Sequence, residues 1–299
     1  MLKGEVYLWS GKQMGGGPSD YAIAKTALQE VDNCPNIALQ NDYSEIFNFS
    51  NKKNSEIIFS IYNGENETAL LNGYWLSNFM PQQAYMNNGI RYNENGEEVS
   101  TTKDAKINGL IRMPLKRDIY VKLYRDNDSR KRVNLRAVYQ KDTNGNLVYE
   151  AAYPYKYQGT TLTGASTRSM YDDYPIYRYA DCLLLLAEAK YLLGEDIATE
   201  INIIRKRAYG DNYSDKVAYP NDKGSFYDDN KFVGGDEDPV EAILKERLRE
   251  LIFEGRNWYD IRLLNMTSKY STATSTRLLW PIDESTLTNN NKLVQTDGY

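Results

Sequence analysis

Three glutamates lie four residues apart along a segment with helical periodicity: Glu246, Glu250 and Glu254. Side chains four residues apart lie on the same face of a helix, so these carboxyl groups are expected to come together. Paired carboxylates are the groups with which glycosidases cleave sugar bonds. The chain contains no histidine, the commonest general base, so any catalytic hypothesis rests on carboxylates. A carbohydrate-active enzyme is therefore one function to weigh.

Charged residues interleave with these glutamates and favour a structural role for them. Opposite charges pair, and pairing stabilises the ionised form of a carboxylate. The acid of a glycosidase needs the opposite, a carboxyl group whose pKa is raised. We therefore predict that the chain is not an enzyme and has no catalytic residue. The residues expected to form ion pairs and join helices are Arg178, Asp181, Arg205, Arg207, Arg247, Arg249, Arg256, Asp260 and Arg262.

Composition indicates a folded globular protein and disfavours several partners. The chain has 299 residues, of which 41% are hydrophobic and 26% charged. Its net charge of −5 makes nucleic acid an unexpected partner. The longest apolar stretch, Cys182 to Ala187, is far shorter than the roughly 20 residues that span a bilayer. Cys34 and Cys182 fit neither a metal site nor a disulfide framework, so we expect no metal or other cofactor and a core position for Cys182.

Two helical hairpins are predicted. Near the start, Leu2, Val6 and Trp9 form an apolar stripe that ends before Gly15, and a second helix follows with Ser19 as its cap. Later, a helix is expected from Pro175 to Leu193 and another over 197–208, closed by a glycine. Further helices are predicted after an aspartate–proline cap at 238–239 and over 257–264. Residues 56–62 form a run with three β-branched isoleucines, which favours an extended segment.

The segment 63–174 shows no sustained helical period and is rich in Gly, Asn, Asp and Pro. We predict a long irregular insertion, of the kind that carries function in folded domains. The alternative is a set of short strands and hairpins. The best local support for that alternative is the turn sequence 141–146, which lies between Val138 and Val148.

Four ordered motifs near the carboxyl end carry a resemblance to a known family. Residues 177–189, YRYADCLLLLAEA, are similar to the RYAD...LL..AEA helix of the RagB/SusD family. Residues 201–208 resemble its iN.iR.RA helix, and residues 246–262 resemble its ERR.EL.FEG.RWyDl.R signature. Residues 279–299 are similar to its l.PIp...l.QN.GY terminus. The resemblance implies a mainly α fold of paired, tetratricopeptide-like helices with a long irregular insertion.

Weaker motifs extend the resemblance over almost the whole chain. Residues 2–11 resemble the LkArvYLw helix, residues 54–59 the n.EiIF strand, and residues 128–130 the DpR turn. Family members are longer at the front, where a lipoprotein signal and the first helical repeats lie. The chain is therefore expected to be a single SusD-like domain over 1–299 that lacks the amino-terminal part.

The resemblance also implies a function. SusD-like proteins are noncatalytic receptors that capture oligosaccharide or polysaccharide at the extracellular face of the bacterial outer membrane. They are lipoproteins and act as a lid on a TonB-dependent, SusC-like transporter. Contact with the membrane is implied only through a lipid anchor, and this sequence contains no secretory signal or lipoprotein cysteine.

The candidate ligand surface lies in the 63–174 insertion. The chain has 26 Tyr against 7 Phe and 4 Trp, and tyrosine suits surfaces that recognise polar ligands. In the family, the segment after the EiIF strand contributes aromatic residues to a sugar-binding arc. Flat rings match the apolar faces of sugars, while nearby amide and guanidinium groups bond hydroxyls. The predicted ligand-binding residues are Tyr74, Trp75, Phe79, Tyr85, Tyr92, Arg91 and Asn78.

Two alternatives stay open. These aromatic residues could instead pack the insertion onto the helices. The chain could also be a helical-repeat adaptor that binds peptide or protein through an exposed helical face.

Overall fold

A computed structural model of the protein describes residues 1–65, 78–82, 86, 88–99, 109–110, 112–164, 169–223 and 235–299. Helices predominate in these residues. They are α1 (Leu2–Gln13), α2 (Gly17–Asp32), α3 (Arg117–Lys122), α4 (Ser129–Asn134), α5 (Tyr179–Leu192), α6 (Ala198–Tyr209), α7 (Pro239–Leu251), α8 (Asn257–Leu263), α9 (Thr267–Tyr270) and α10 (Glu284–Asn289). Short 3-10 turns cover Tyr43–Ile46, Phe49–Asn51, Gly210–Asn212 and Ser275–Arg277.

Helix α5 is the centre of the helical part. Each of its residues from 180 to 189 is buried, including the two acidic ones, Asp181 and Glu188. The α1–α2 hairpin packs on one side of it, where Leu8 and Leu28 contact Cys182 and Leu185. Cys182 is fully buried, which confirms its predicted core position.

Helices α6, α7 and α8 cover the other side of α5. Ile201, Ile243 and Ile261 meet there in one apolar cluster. Asp238 caps α7, because its Oδ1 accepts a hydrogen bond of 2.9 Å from the Val240 N–H. Gly210 ends α6 with a φ of 50°. The predicted helices after residues 197, 238 and 257 are therefore confirmed.

Two small antiparallel sheets complete the described fold. Strand β1 (Ile57–Ile61) pairs with β6 (Tyr174–Arg178), with Ile61 opposite Tyr174. These strands flank the 63–174 segment, so its two ends lie side by side. The second sheet lies within that segment and consists of β2 (Arg91–Tyr92), β3 (Glu98–Val99), β4 (Leu135–Lys141) and β5 (Leu147–Pro154). Its strand order is β3-β2-β4-β5.

The 63–174 segment therefore holds regular structure as well as irregular chain. Strands β4 and β5 form a hairpin whose turn is closed by the Asp142 N–H, which donates to the Asn146 carbonyl over 2.9 Å. Gly145 adopts a φ of 84° in this turn, a conformation that glycine reaches without strain. The alternative prediction of a hairpin around 141–146 is confirmed.

Two predicted helix starts were wrong. Helix α2 begins at Gly17 with Pro18 in its first turn, and Ser19 is not the cap. Residues 174–178 form strand β6 instead of the first turn of α5, because they pair with β1, more than 110 positions earlier in the chain. Ile176 and Tyr179 have helical spacing, but long-range pairing overrides it.

Candidate functional site

Three of the predicted ligand-binding residues, Tyr74, Trp75 and Tyr85, lie outside the described residues. The other four can be placed. Phe79 is half-buried, and its ring centroid lies 5.8 Å from that of Phe253 in an edge-on arrangement. Asn78 is also half-buried, and its backbone carbonyl accepts a hydrogen bond of 2.9 Å from the Met113 N–H.

Arg91 and Tyr92 form strand β2. Arg91 is buried, and its Nε lies 3.0 Å from Glu150 Oε2 in an ion pair. Tyr92 is half-buried, and Lys141 Nζ lies 4.1 Å from the centre of its ring. The described site residues therefore belong to two places, with Phe79 packed against the core and Tyr92 in the sheet.

A row of tyrosines crosses this sheet. Tyr92 pairs with Tyr139, and Tyr139 pairs with Tyr149, so the three side chains lie on one face. The rings of Tyr139 and Tyr149 meet edge-on with centroids 5.8 Å apart. Tyr120, from α3, stacks on Tyr149 at 5.7 Å. Burial raises the pKa of the Tyr120 phenol, so this hydroxyl stays protonated and able to donate.

Two adjoining grooves are both lined by Glu94 and Arg132, and the larger one is also lined by Tyr120 and Tyr139 of the tyrosine row. The larger has a volume of about 400 Å³, which is within the range of ligand pockets. Its other lining residues are Tyr120, Val121, Asp126, Lys131, Leu135 and Tyr139. The smaller has a volume of about 250 Å³ and is lined further by Asn93, Asn95, Val99, Arg136, Ala137, Tyr153 and Tyr155. We call the pair the Glu94–Arg132 grooves.

The groups in these grooves suit a ligand rich in hydroxyls. Arg132 is exposed, and Glu94 lies in the turn between β2 and β3. Arg136 lies with its guanidinium carbon 4.1 Å from the centre of the Tyr155 ring. Donors, acceptors and aromatic rings thus line the same concave surface. The sequence prediction missed Glu94 and Arg132, since neither belongs to a local motif and only the fold brings them together.

The three glutamates that first pointed to catalysis are buried in a network of ion pairs. Glu246 Oε1 lies 2.7 Å from Arg130 Nη1, and its Oε2 lies 2.9 Å from Arg205 Nε. Glu250 bonds Arg130, Arg178 and Arg207, and Glu254 bonds Lys156 and Arg178. Asp128 and Arg130, which match the family's DpR turn, pair with each other inside this network at 2.7 Å.

Charge pairing determines the ionisation of these carboxylates. Burial by itself would raise the pKa of Glu246, but the guanidinium groups of Arg249, Arg130 and Arg205 hold it well below its usual value. Burial opposes ionisation of Glu250 too, yet its arginine partners lower the pKa. Both side chains are ionised and fully buried. A glycosidase acid must be protonated and reach its substrate, so this arrangement supports a structural role.

Metal binding and membrane crossing were also considered for the described part of the chain. No group of three or more histidine, cysteine, aspartate or glutamate side chains is arranged there to hold a metal ion. Within the same residues, no helix combines the length and the apolar character that crossing a membrane requires.

A family match covers three of the four carboxyl-end motifs, those at 177–189, 201–208 and 246–262, together with the arginine–glutamate network. A sequence model of the SusD family matches residues 38–262, which is most of the chain. This chain belongs to the SusD family. The expected fold class, mainly α with SusD-like paired helices, is confirmed.

Two solved SusD-family structures are similar over the whole chain. NanU of B. fragilis is 55% identical with a TM-score of 0.92, and the match covers 100% of this chain and 62% of the NanU chain. A SusD superfamily protein from Bacteroides vulgatus ATCC 8482 is 51% identical with a TM-score of 0.92, over 100% of this chain and 64% of the other. This chain thus spans less than two thirds of the length of either relative.

A more distant SusD-like structure carries a sugar. Surface glycan-binding protein A from Bacteroides thetaiotaomicron, in complex with laminarihexaose, is 19% identical with a TM-score of 0.65. The match covers 97% of this chain and 62% of that protein, and at this identity it shows a shared fold alone. No protein of curated function matches the chain.

Proposed function

We propose that this SusD-family protein binds oligosaccharide or polysaccharide at the cell surface without cleaving it. The Glu94–Arg132 grooves are the observation that carries the proposal. The half-buried rings of Tyr139 and Tyr155 offer flat surfaces for the apolar C–H faces of sugars, and the charged groups of the grooves offer hydrogen bonds to hydroxyls. The buried glutamates take no part, because arginine and lysine side chains occupy their oxygens.

The proposal extends to delivery of the bound glycan. Family resemblance points to a lipoprotein on the extracellular face of the outer membrane, acting as a lid on a TonB-dependent, SusC-like transporter. Noncatalytic binding suits that role, because a receptor must hand over its ligand intact. We include this localisation and this partner in the proposed function.

Within the insertion, we propose that Trp75 stacks on a sugar ring, with Tyr74, Tyr85 and Tyr92 as further contacts. Of these four, Tyr92 pairs across the sheet with Tyr139, which lines the larger groove. Asn78 and Arg91 are proposed as polar neighbours, and Phe79 as an aromatic one. The ligand site would then extend from the segment after β1 to the Glu94–Arg132 grooves.

A glycan screen followed by one substitution tests this proposal. An array of oligosaccharides that includes laminarihexaose is probed with the whole chain, and the tightest ligand is taken into calorimetry. Replacing Trp75 with alanine is expected to weaken that ligand by roughly 5- to 150-fold, as loss of a stacking platform does. The melting temperature should stay unchanged. A folded Trp75→Ala protein with unaltered affinity would show that Trp75 does not contact the glycan. If no glycan on the array binds, the proposed function is refuted.

A further inference from the structure

One continuous stretch of chain, from the end of helix α4 into strand β4, contributes to both of the Glu94–Arg132 grooves. Arg132 and Leu135 line the larger groove, and Arg132 and Arg136 line the smaller one. Helix α4 ends at Asn134 and strand β4 begins at Leu135, so the junction of the two elements lies inside this stretch. The position of the junction therefore determines where these lining side chains lie.

The side chain at the junction, Asn134, is fully buried and bonds three groups from other parts of the chain. Its Oδ1 accepts a hydrogen bond of 3.1 Å from the Tyr43 hydroxyl. Its Nδ2 donates to the Tyr124 hydroxyl over 2.9 Å and to the Arg249 carbonyl over 3.2 Å. Arg249 lies in the last turn of α7, where backbone carbonyls lack a partner within the helix. One amide thus joins the end of α4 to the end of α7.

The backbone of Asn134 holds a further lining residue, Tyr155. The Tyr155 N–H donates to the Asn134 carbonyl over 2.8 Å, next to the cross-strand pair of Leu135 and Pro154. Tyr155 lines the smaller groove, and the guanidinium carbon of Arg136 lies 4.1 Å from the centre of its ring. A shift of Asn134 would therefore displace lining residues of both grooves.

We propose that Asn134 is a positioning residue for glycan binding. It lines neither groove, and it acts through Arg132, Arg136 and Tyr155, which it holds in the arrangement that binds oligosaccharide. Hydrogen bonds depend on distance and angle, so three of them fix the junction more narrowly than apolar packing would. The inference rests on the proposed glycan binding in these grooves and adds the residue that keeps them in shape.

A double-mutant cycle between Asn134 and Arg132 tests this role. The probe is the array oligosaccharide that the natural protein binds most tightly, titrated by calorimetry well below the melting temperature of each variant. We expect Asn134→Ala to weaken binding about fivefold and Arg132→Ala about tenfold. The double variant should weaken it only about 15-fold, because a displaced Arg132 has already lost part of its contribution. Independent effects would multiply to about 50-fold and would contradict the positioning role.

Two further variants separate positioning from general stability. Ile201→Ala is the matched control, because Ile201 is buried in the apolar cluster of α6, α7 and α8 and lines neither groove. It should lower the melting temperature and leave the affinity unchanged. Tyr124→Phe removes one partner of Asn134 and keeps the ring, so it serves even if Asn134→Ala does not fold. We expect it to weaken binding about threefold.

Hydrogen exchange without glycan measures the junction itself. Tyr124→Phe should speed amide exchange in strand β4 about tenfold or more, whereas Ile201→Ala should leave that strand unchanged. Full affinity in the Asn134 and Tyr124 variants, or an equal loss of affinity in Ile201→Ala, would overturn the positioning role while the proposed function stands. Full affinity in Arg132→Ala, or no saturable binding by the natural protein, would count against the glycan site itself, and the inference would fall with it.

Discussion

Arg178 Nη1 donates a hydrogen bond of 2.7 Å to Glu250 Oε1, although the two residues are 72 positions apart. The same nitrogen bonds Glu56 Oε1 at 2.7 Å, next to strand β1. Arg178 ends strand β6 and precedes helix α5, so one guanidinium joins the small sheet to helix α7. All three side chains are buried. The family's charged motifs thus hold together elements that are distant in sequence.

Removing the charge of Glu250 should destabilise the fold strongly. Glu250→Gln leaves the buried guanidiniums of Arg130, Arg178 and Arg207 short of a counter-charge. We expect a loss of about 3 to 5 kcal/mol in the free energy of unfolding, measured in urea. Glu195→Gln is the control, because its pair with Lys25 is at the surface and should contribute about 1 kcal/mol or less. Equal losses in the two variants would contradict the structural role.

Leu251 should contribute to stability through packing alone. It is buried near the end of α7, whereas Leu248 is only half-buried. Leu251→Ala is expected to lower the free energy of unfolding by roughly 2 to 5 kcal/mol, with a smaller loss for Leu248→Ala. Ile203→Ala on the exposed side of α6 should cost less than about 0.5 kcal/mol. A loss at Leu251 no larger than at Ile203 would show that the buried face of α7 is misassigned.

Asp260 makes stability depend on pH. Burial raises its pKa from 3.8 to about 6, even though Arg247 lies 2.9 Å away and opposes the shift. A carboxyl group with a raised pKa in the folded state contributes stability that is complete below pH 3.8 and is lost as pH rises through 6. The Asp260→Asn protein lacks this titration.

Urea unfolding of both proteins at about pH 4 and about pH 7 measures the effect. The free energy of unfolding of the natural protein exceeds or falls short of that of Asp260→Asn by some difference at each pH. This difference should decrease by about 1 to 3 kcal/mol between the two pH values, because one pKa unit corresponds to about 1.4 kcal/mol. Titrations elsewhere, such as those of Glu246 and Glu250, cancel in the difference. A difference that stays constant or rises with pH would contradict the raised pKa of Asp260.

Binding should proceed without hydrolysis. Glu246 and Glu250 are ionised, buried and bonded to arginines, so neither is placed to protonate a glycosidic oxygen. Incubation with the tightest-binding glycan should release no new reducing ends. Release that is abolished by Glu246→Gln, in a protein that still folds, would restore the enzyme hypothesis.

Local sequence signals predicted the helices well where caps and apolar stripes agree. Asp238 and the proline after it set the start of α7, and Gly210 set the end of α6. Strand β6 was missed because its partner is β1, and no local pattern encodes a pairing over that separation. The charged motifs predicted ion pairs for Arg178 and Glu250, but a single sequence could not assign each partner.

The candidate site was less accessible from the sequence. Tyr92 was selected, yet its neighbours in space, Tyr139 and Tyr149, lie about fifty positions further along and come close only through the sheet. Glu94 and Arg132 lie in a turn and a helix that carry no ligand-binding motif. Concave surfaces built from several elements are a property of the fold, and periodicity along the chain does not report them.

The central claim is that the Glu94–Arg132 grooves bind oligosaccharide. Calorimetric titration of the tightest-binding oligosaccharide tests this claim most directly. The proteins compared are the natural protein, Tyr139→Ala, Arg132→Ala and the control Tyr259→Ala. Tyr139 and Arg132 line the larger groove, while Tyr259 is an exposed tyrosine on α8 that lines neither groove. The account predicts saturable binding that weakens about tenfold or more in each groove variant and stays unchanged in Tyr259→Ala, with all four proteins folded. Undiminished affinity in both groove variants, or no saturable binding of any oligosaccharide, would contradict it.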